Sequence, residues 1–486
     1  MDPDWQVHAS QRIGQTMKVG WTAYAVVVAI LGASTGAAWA QTQAPGTPSN
    51  PFLGSIPKGT LTATSLPLTA KDAVQRALQN NLGLLLQEEA ETTAHGAKWQ
   101  ALADLLPNVS GSLAASRQII NLEAFGFNPK AFGLSSPLVG PFPIYDVRAF
   151  VSAPIVDLSA INESRAATAS EQAARYNVKN ARDLVVLVAV NLYLEAVAQS
   201  SRVEMVHAQL QTAEELLRQA QDLKASGIVA SLDVVRAQVQ VQTQRQRSIA
   251  AENDFEKAKL QLAHAIGIPV GQAITLTDTM PYAALPPPAI EESIARALET
   301  RADYLAAKSR VDSAQAANRA ANDALLPSFH VDADYGVIGN TPSGALGTYT
   351  LSATVKVPVF DAGRTKARRI QAASIVRQRE AELADFRGRI EFEVRSALLD
   401  LRTADQQLQA AQTSVQLAND ELSQARDRFA AGVASNLDVT QAQESVARAS
   451  DVYVDALYSH NLAKATLAHA IGVAESAVMS FLGGSK

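Results

Sequence analysis

Few residues in this 486-residue chain are placed to do chemistry. His264 and His469 stand in the same six-residue string, LAHAIG, which occurs at 262 and again at 467. A paired histidine first suggests a metal. Neither one has a carboxylate or a second histidine at ligand spacing, and both sit near helix ends, where histidine is a common capping partner. No metal is expected. Cysteine is absent, which excludes disulfides, thiolate metal sites, a cysteine nucleophile and a lipid-modified N-terminal cysteine. No nucleophile–base constellation or phosphate-cradling glycine loop is present, so neither an enzyme nor a cofactor is expected. Asp233 and Asp438 remain. Each follows by two positions a residue that suits a helix N-cap, Ser231 and Asn436, and an acid there is what the positive end of a helix favours.

The elements that hold these residues follow from periodicity. Ala225 to Gly267 overlays Ala430 to Gly472 at an offset of 205 (430 minus 225), and Leu105-Leu106-Pro107 matches Leu325-Leu326-Pro327 at an offset of 220 (325 minus 105). The chain therefore carries an internal two-fold repeat. Pro154 and Asp157 match Pro358 and Asp361 at an offset of 204, so the first half has 16 extra residues (220 minus 204) around 117–150. In the second half Val394, Leu401, Leu408, Val415, Leu422 and Phe429 recur every seven residues, with alanines from Ala397 to Ala425 interleaved. That is a coiled-coil seam of alternating large and small knobs. A helix from Gly363 to Ala430 is about 100 Å long at about 1.5 Å per residue, more than a compact domain accommodates. Its first-half counterpart, 159–225, carries the pattern less strictly in Leu192, Ala196, Val203, Val206, Leu210, Ala213, Leu217 and Ala220. Each ends in a glycine turn, at Gly227 or Gly432, before a second helix.

Between the helices the period changes to two. Odd positions of 329–337 and 349–359 are apolar, while even ones are mainly His, Asp, Thr, Ser and Lys. Weaker equivalents lie at 109–116 and 145–155. Each is about as long as the roughly 10 residues that cross a bilayer as a tilted strand, although a four-stranded soluble sheet fits the same pattern. Four strands cannot close a barrel, and open edges are not tolerated in hydrocarbon, so a membrane-spanning chain must oligomerise; two copies give 8 strands and three give 12. The apolar stretch Val19 to Trp39, preceded by Lys18 and ending in Ala38-Trp39-Ala40, reads as a cleaved signal over 1–40, with translation starting at Met1 or Met17 and a retained anchor as the competing reading. After Ala40 the longest apolar run, Leu184 to Val190, is far short of a spanning helix. Domains are expected as an extended leader at 41–67, a first repeat at 68–278, a proline-rich linker at 279–288, a second repeat at 289–473 and a tail at 474–486. With 42 basic against 47 acidic residues, there is no basic excess for nucleic acid.

The order helix, LLP, strand, loop, strand, P-[IV]-x-D, long helix, glycine turn with LDV, helix, then all of it again, resembles the TolC-like outer-membrane factors of tripartite efflux pumps and type I secretion systems. The resemblance covers about 68–472. It implies a mainly α fold with a membrane β-barrel portion, in which a homotrimer closes a 12-stranded barrel in outer-membrane lipid and continues as a periplasmic coiled-coil α-barrel. The chain would be a passive exit duct, coupled through a periplasmic adaptor protein to an inner-membrane efflux transporter. Asp438 and Asp233 match the region where the family carries a constricting acidic ring, and Gly227, Leu232, Gly432 and Leu437 fall at the tips that meet the adaptor. Where members often place a tyrosine before the turn, this chain has Phe429 and Lys224, and the second acidic position is Gln441, so a closed-state lock does not transfer. The enlarged loop, 117–143, faces the exterior on this scheme, as a lid or spacer. The rival reading is a soluble periplasmic coiled-coil adaptor or scaffold, which would carry small β-domains flanking one hairpin instead of two full sets of helices and strands.

Overall fold

A computed structural model describes residues 50–482, apart from 129, 130, 132, 134, 281, 287, 432 and 434. The signal segment, its start codon and Gly432 lie outside the described residues. The leader includes a short 3-10 turn at Pro51–Leu53 and a strand β1 (Leu66–Leu68) parallel to β4 (Ile274–Leu276). Then come α1 (Ala70–Asn80), α2 (Leu82–Ala103), β2 (Asn108–Asn121), β3 (Leu138–Val156), α3 (Leu158–Ala225) and α4 (Ser231–Ile266). The second half gives α5 (Ile290–Thr300), α6 (Ala302–Asp323), β5 (Ser328–Gly339), β6 (Leu346–Lys356), α7 (Arg364–Ala430) and α8 (Asn436–Ala470).

The aspartates of the P-x-x-D strings start the two long helices. The Asp157 carboxylate accepts from the Ala160 backbone N–H at 2.9 Å, and Asp361 accepts from the N–H groups of Gly363 and Thr365 at 3.0 and 2.7 Å. These bonds satisfy donors that a helix start leaves orphaned. The helices run 68 and 67 residues, about 100 Å each. Along α7 the seam is buried at Val394, Leu401, Leu408, Leu422 and Phe429, with Ala397, Ala404, Ala411 and Ala418 between them, while Val415 and Ala425 of the expected seam are half-buried. In α3 the alanines at 196, 213 and 220 are buried while Leu192, Leu210 and Leu217 are half-buried.

One segment of α3 is long and apolar enough, by composition, to cross a membrane, yet half of it is buried within the chain. Val185, Val186, Ala189, Val190 and Tyr193 pack there against Leu68, Leu262, Ile266 and Val478. Its apolar character is that of a core helix.

β2, β3, β5 and β6 form one antiparallel sheet in that order, leaving β2 and β6 as its edges. Two expectations change. The segment 117–143 is strand at both of its ends, because β2 continues to Asn121 and β3 begins at Leu138. Pro141 and Pro143 disguised it in the sequence. They are tolerated because β3 has no β5 partner above Tyr145, and proline is confined to such edges. The expected tail at 474–486 instead contains a helix, α9 (Ala474–Phe481), whose Ala474 and Val478, with Leu482 after them, are buried against α3. Its Glu475 is gripped by Arg182 through contacts of 2.6 to 3.2 Å.

Candidate functional site

The described site residues indicated by sequence, Gly227, Leu232, Asp233, Leu437 and Asp438, all lie at the C-terminal ends of the long helices. At the far end from the sheet, α3 stops at Ser226, Gly227 takes φ +73°, and the Ile228 N–H donates back to the Leu223 carbonyl at 2.9 Å. This is the left-handed stop for which glycine suits best. Beyond it Ile228 and Leu232 are exposed, as are Val433 and Leu437 at the second turn.

The two aspartates are held differently. Asp438 closes a capping box: Ser435 Oγ accepts from the Asp438 N–H, while the carboxylate accepts from the Ser435 N–H at 2.8 Å and its hydroxyl at 3.0 Å. Those bonds, the backbone one foremost, hold the Asp438 carboxyl below the usual range, so it stays ionised. Asp233 has no such cap, since the residue at the N-cap is Ala230, and Arg236 stands 3.5 Å from its carboxylate. The expected caps, Ser231 and Asn436, are therefore each one position too late. The helices begin there, and the residue before each has the extended backbone of a cap. Ser435-x-x-Asp438 is the spacing that could have shown this. Lys224 Nζ donates to Ser231 Oγ at 3.3 Å across the first turn.

Phe429 is buried among Leu216, Leu422, Val439 and Ala442, joining α3 to the α7–α8 pair. Gln441 is exposed. Above the tips the α4 and α8 helices are tied by Glu444, which accepts from both terminal nitrogens of Arg247 at 3.1 Å and from Gln240 at 3.3 Å. Burial pushes the Glu444 pKa up, but the hydrogen bonds from Arg247 and Gln240 and the Arg247 charge together outweigh it and leave it lowered.

At the other end the even-numbered face of the sheet carries a charged network that sequence reasoning missed in the first half. Arg148 on β3 pairs with Asp334 on β5, lies 3.4 Å from Asp146 and donates to Thr348 on β6 at 2.9 Å; Ser152 donates to Asp332 at 2.6 Å. The alternation of Asp146 and Arg148 was the available signal. The odd face presents Val109, Leu113, Val147, Tyr349 and Leu351 to the surroundings. His264 is exposed and His469 half-buried, and among the described residues no group of three or more His, Asp or Glu could hold a metal ion.

Against known proteins, the model of the family described as outer membrane efflux protein matches residues 73–268 and 293–473. The pyoverdine export outer membrane protein OpmQ of Pseudomonas aeruginosa is 26% identical over 408 residues, covering 82% of this chain and 84% of that protein. The toluene efflux pump outer membrane protein TtgC of Pseudomonas putida is 26% identical over 421 residues, covering 82% of each. Among solved structures, the outer membrane protein VceC of Vibrio cholerae superposes with a TM-score of 0.70 at 19% identity, over 83% of this chain and 96% of that one. With two long helix hairpins hung beneath a two-faced sheet and two family-matched spans, this chain belongs to the outer membrane efflux protein family, as an outer-membrane exit duct whose helical part lies in the periplasm.

Proposed function

We propose that three copies of the chain close a 12-stranded barrel, with the Arg148 face lining a wet lumen and the Leu113 face turned to lipid. The observation that carries this is the open four-stranded sheet. Its edges, β2 and β6, run in opposite directions, so edge-to-edge joining of copies continues the antiparallel pattern. A spanning sheet must lose both edges, since each unpaired backbone group costs several kcal/mol in hydrocarbon. The repeat of the sequence, with a sheet hairpin and a helix hairpin in each half, supports a duct of alternating units around the axis. The tips, with Gly227, Leu232, Gly432 and Leu437, then meet a periplasmic adaptor that couples the duct to an inner-membrane efflux transporter. Exposed Leu232 and Leu437 support that contact.

Asp233 and Asp438 gather as six carboxylates at the inner mouth and favour cations through their local potential. The capping bonds that keep Asp438 ionised support this role. Pyoverdine and toluene in the relatives' names mark small organic molecules as the cargo class. The test is single-channel conductance of the mature protein in planar bilayers, wild type against Asp233→Ala with Asp438→Ala. Cation-selective pores that lose selectivity in the double variant are expected. Unchanged selectivity removes the ring and leaves the duct; folded oligomer without pores removes the duct.

A further inference from the structure

Midway along the helices lies a cavity of about 380 Å³ that neither the tips nor the sheet explains. It sits where α6 and α8 each pack between α3 and α7, with Asn180 and Leu184 of α3, Glu393 and Asp400 of α7, and Thr466 and His469 of α8 in its walls. Its charge is unbalanced. Three carboxylates, those of Asp303, Glu393 and Asp400, line it beside one permanent cation, Arg301. Asp303 and Glu393 already hold that cation, which also reaches the Ala470 carbonyl at 3.4 Å, so it has little left for an anion. Asp400 is exposed and has no partner among the described residues. The ring of Phe392, also in the wall, is 71% exposed, and it stands eight residues (400 minus 392), about 12 Å, along α7 from Asp400.

The cavity lies on the face of α7 turned away from α5. Arg395 donates to Glu291 of α5 at 3.2 Å, and at about 100° per residue Glu393 and Asp400 stand about 160° and 140° round the helix from Arg395. In the trimeric duct proposed above, α5 and its two copies belong outside the wall, since inside it they would obstruct the passage. The cavity then faces the lumen. Glu393 is 29 residues into α7 (393 minus 364), about 44 Å from the helix start, so three such cavities ring the duct at one height.

We propose that each is a mid-duct docking pocket for organic cations that carry an apolar body, with the ammonium group held by Asp400 and Glu393 and the body by Phe392 and Leu184. The inference rests on the trimeric duct and its small organic cargo. An exposed aromatic ring attracts a cation as well as an apolar group, and the unpaired carboxylate adds the charge. His469 does not oppose it, because burial and then the Arg301 charge push its pKa down and keep the ring neutral. Its buried Nδ1 has no hydrogen-bond partner, an uncommon state for a buried nitrogen and one that an ammonium N–H would relieve.

The probe is 4-phenylbutylammonium, with 4-phenylbutyrate as a similar body of opposite charge. Isothermal titration calorimetry on the detergent-solubilised mature protein should show the ammonium binding and the carboxylate not. Asp400→Asn and Phe392→Ala, both on exposed side chains outside the Arg301 network, should each weaken that binding severalfold, and Asp233→Ala with Asp438→Ala should leave it unchanged. In planar bilayers the ammonium should block wild-type pores reversibly, with the same dependence on Asp400 and Phe392. Equal binding of the two probes, wild-type affinity in both single variants, or block that follows the tip aspartates instead overturns the pocket, while wild-type pores leave the duct standing. Binding that follows Asp400 and Phe392 in a protein without pores overturns its place in a duct, and a protein that neither conducts nor binds overturns both.

Discussion

The two LAHAIG strings end α4 and α8 in the same way but in opposite surroundings. At the first, the Ile266 carbonyl accepts from Asn80 Nδ2 at 3.4 Å, the Gly267 carbonyl from the Lys58 N–H at 3.1 Å, and the His264 carbonyl from Ser55 Oγ. All three donors are neutral, and two come from the leader. At the second, Thr300 Oγ1 donates to the Ile471 carbonyl at 2.6 Å, and buried Arg301 reaches the Ala470 carbonyl at 3.4 Å while Asp303 and Glu393 neutralise it. Burial, and then the Arg301 charge, push the His469 pKa down. One turn upstream the contrast repeats. Lys259 pairs with Glu256 at 2.6 Å and lies 4.6 Å above the Phe255 ring, whereas Lys464 is fully buried and donates to the Ala283 carbonyl of the linker. The same hexapeptide makes the same helix end; what crosses it decides whether its neighbours are wet or buried, and charged or neutral.

The largest expected effect is at the charged end. Arg301→Ala leaves Asp303 and Glu393 without their partner and should cost about 3 kcal/mol, against about 1 kcal/mol for Asn80→Ala. Denaturant unfolding in detergent measures both, and equal costs would erase the contrast. Next comes Lys464. Burial lowers its pKa from the ordinary 10.5 to about 8, so the unfolded chain binds the proton more tightly. Its burial therefore weakens the fold below about pH 8, and stability rises as pH climbs from there toward the unfolded value. Lys464→Met should abolish that rise, and Lys259→Met should leave it intact, in melting curves taken from pH 7 to 11. Smallest is the tip, where the halves differ in one cap. Ser435→Ala should lose about 1 kcal/mol of helix stability, and Ala230→Ser should gain a similar amount by completing the first box. Hydrogen exchange at the first turns of α4 and α8 reads this directly.

The long helices were legible because a seven-residue seam needs the same residue types at every layer, and the buried set from Val394 to Phe429 follows it. Second-half strands were legible because Asp332 and Asp334 alternate with Val331 and Ala333 without interruption. Arg148 was harder, since its partners lie 186 and 200 residues away, on β5 and β6, and only the sheet register brings them together. The upper part of the β2–β3 hairpin was hidden by Gly140, Pro141 and Pro143, which read as loop unless one knows that β3 is an edge there. Helix α9 escaped because eight residues carry too little periodicity to announce themselves, and its order depends on Arg182 and the α3 core. At the tips the caps before Asp233 and Asp438 were placed a residue late, because Ser231 resembles a cap more than Ala230 does.

The two long helices, of 68 and 67 residues, also restrict how the protein can change in length. Adding one residue to a helix turns everything beyond it by about 100° and would carry every buried alanine of the seam toward solvent. Only insertions near seven or eleven residues return the seam to phase, and an insertion in one rod must be matched in the other and in both return helices, or the tips part company. The distance such a duct spans is therefore quantised, and a lineage can lengthen it only by coordinated steps of about 10 Å or more.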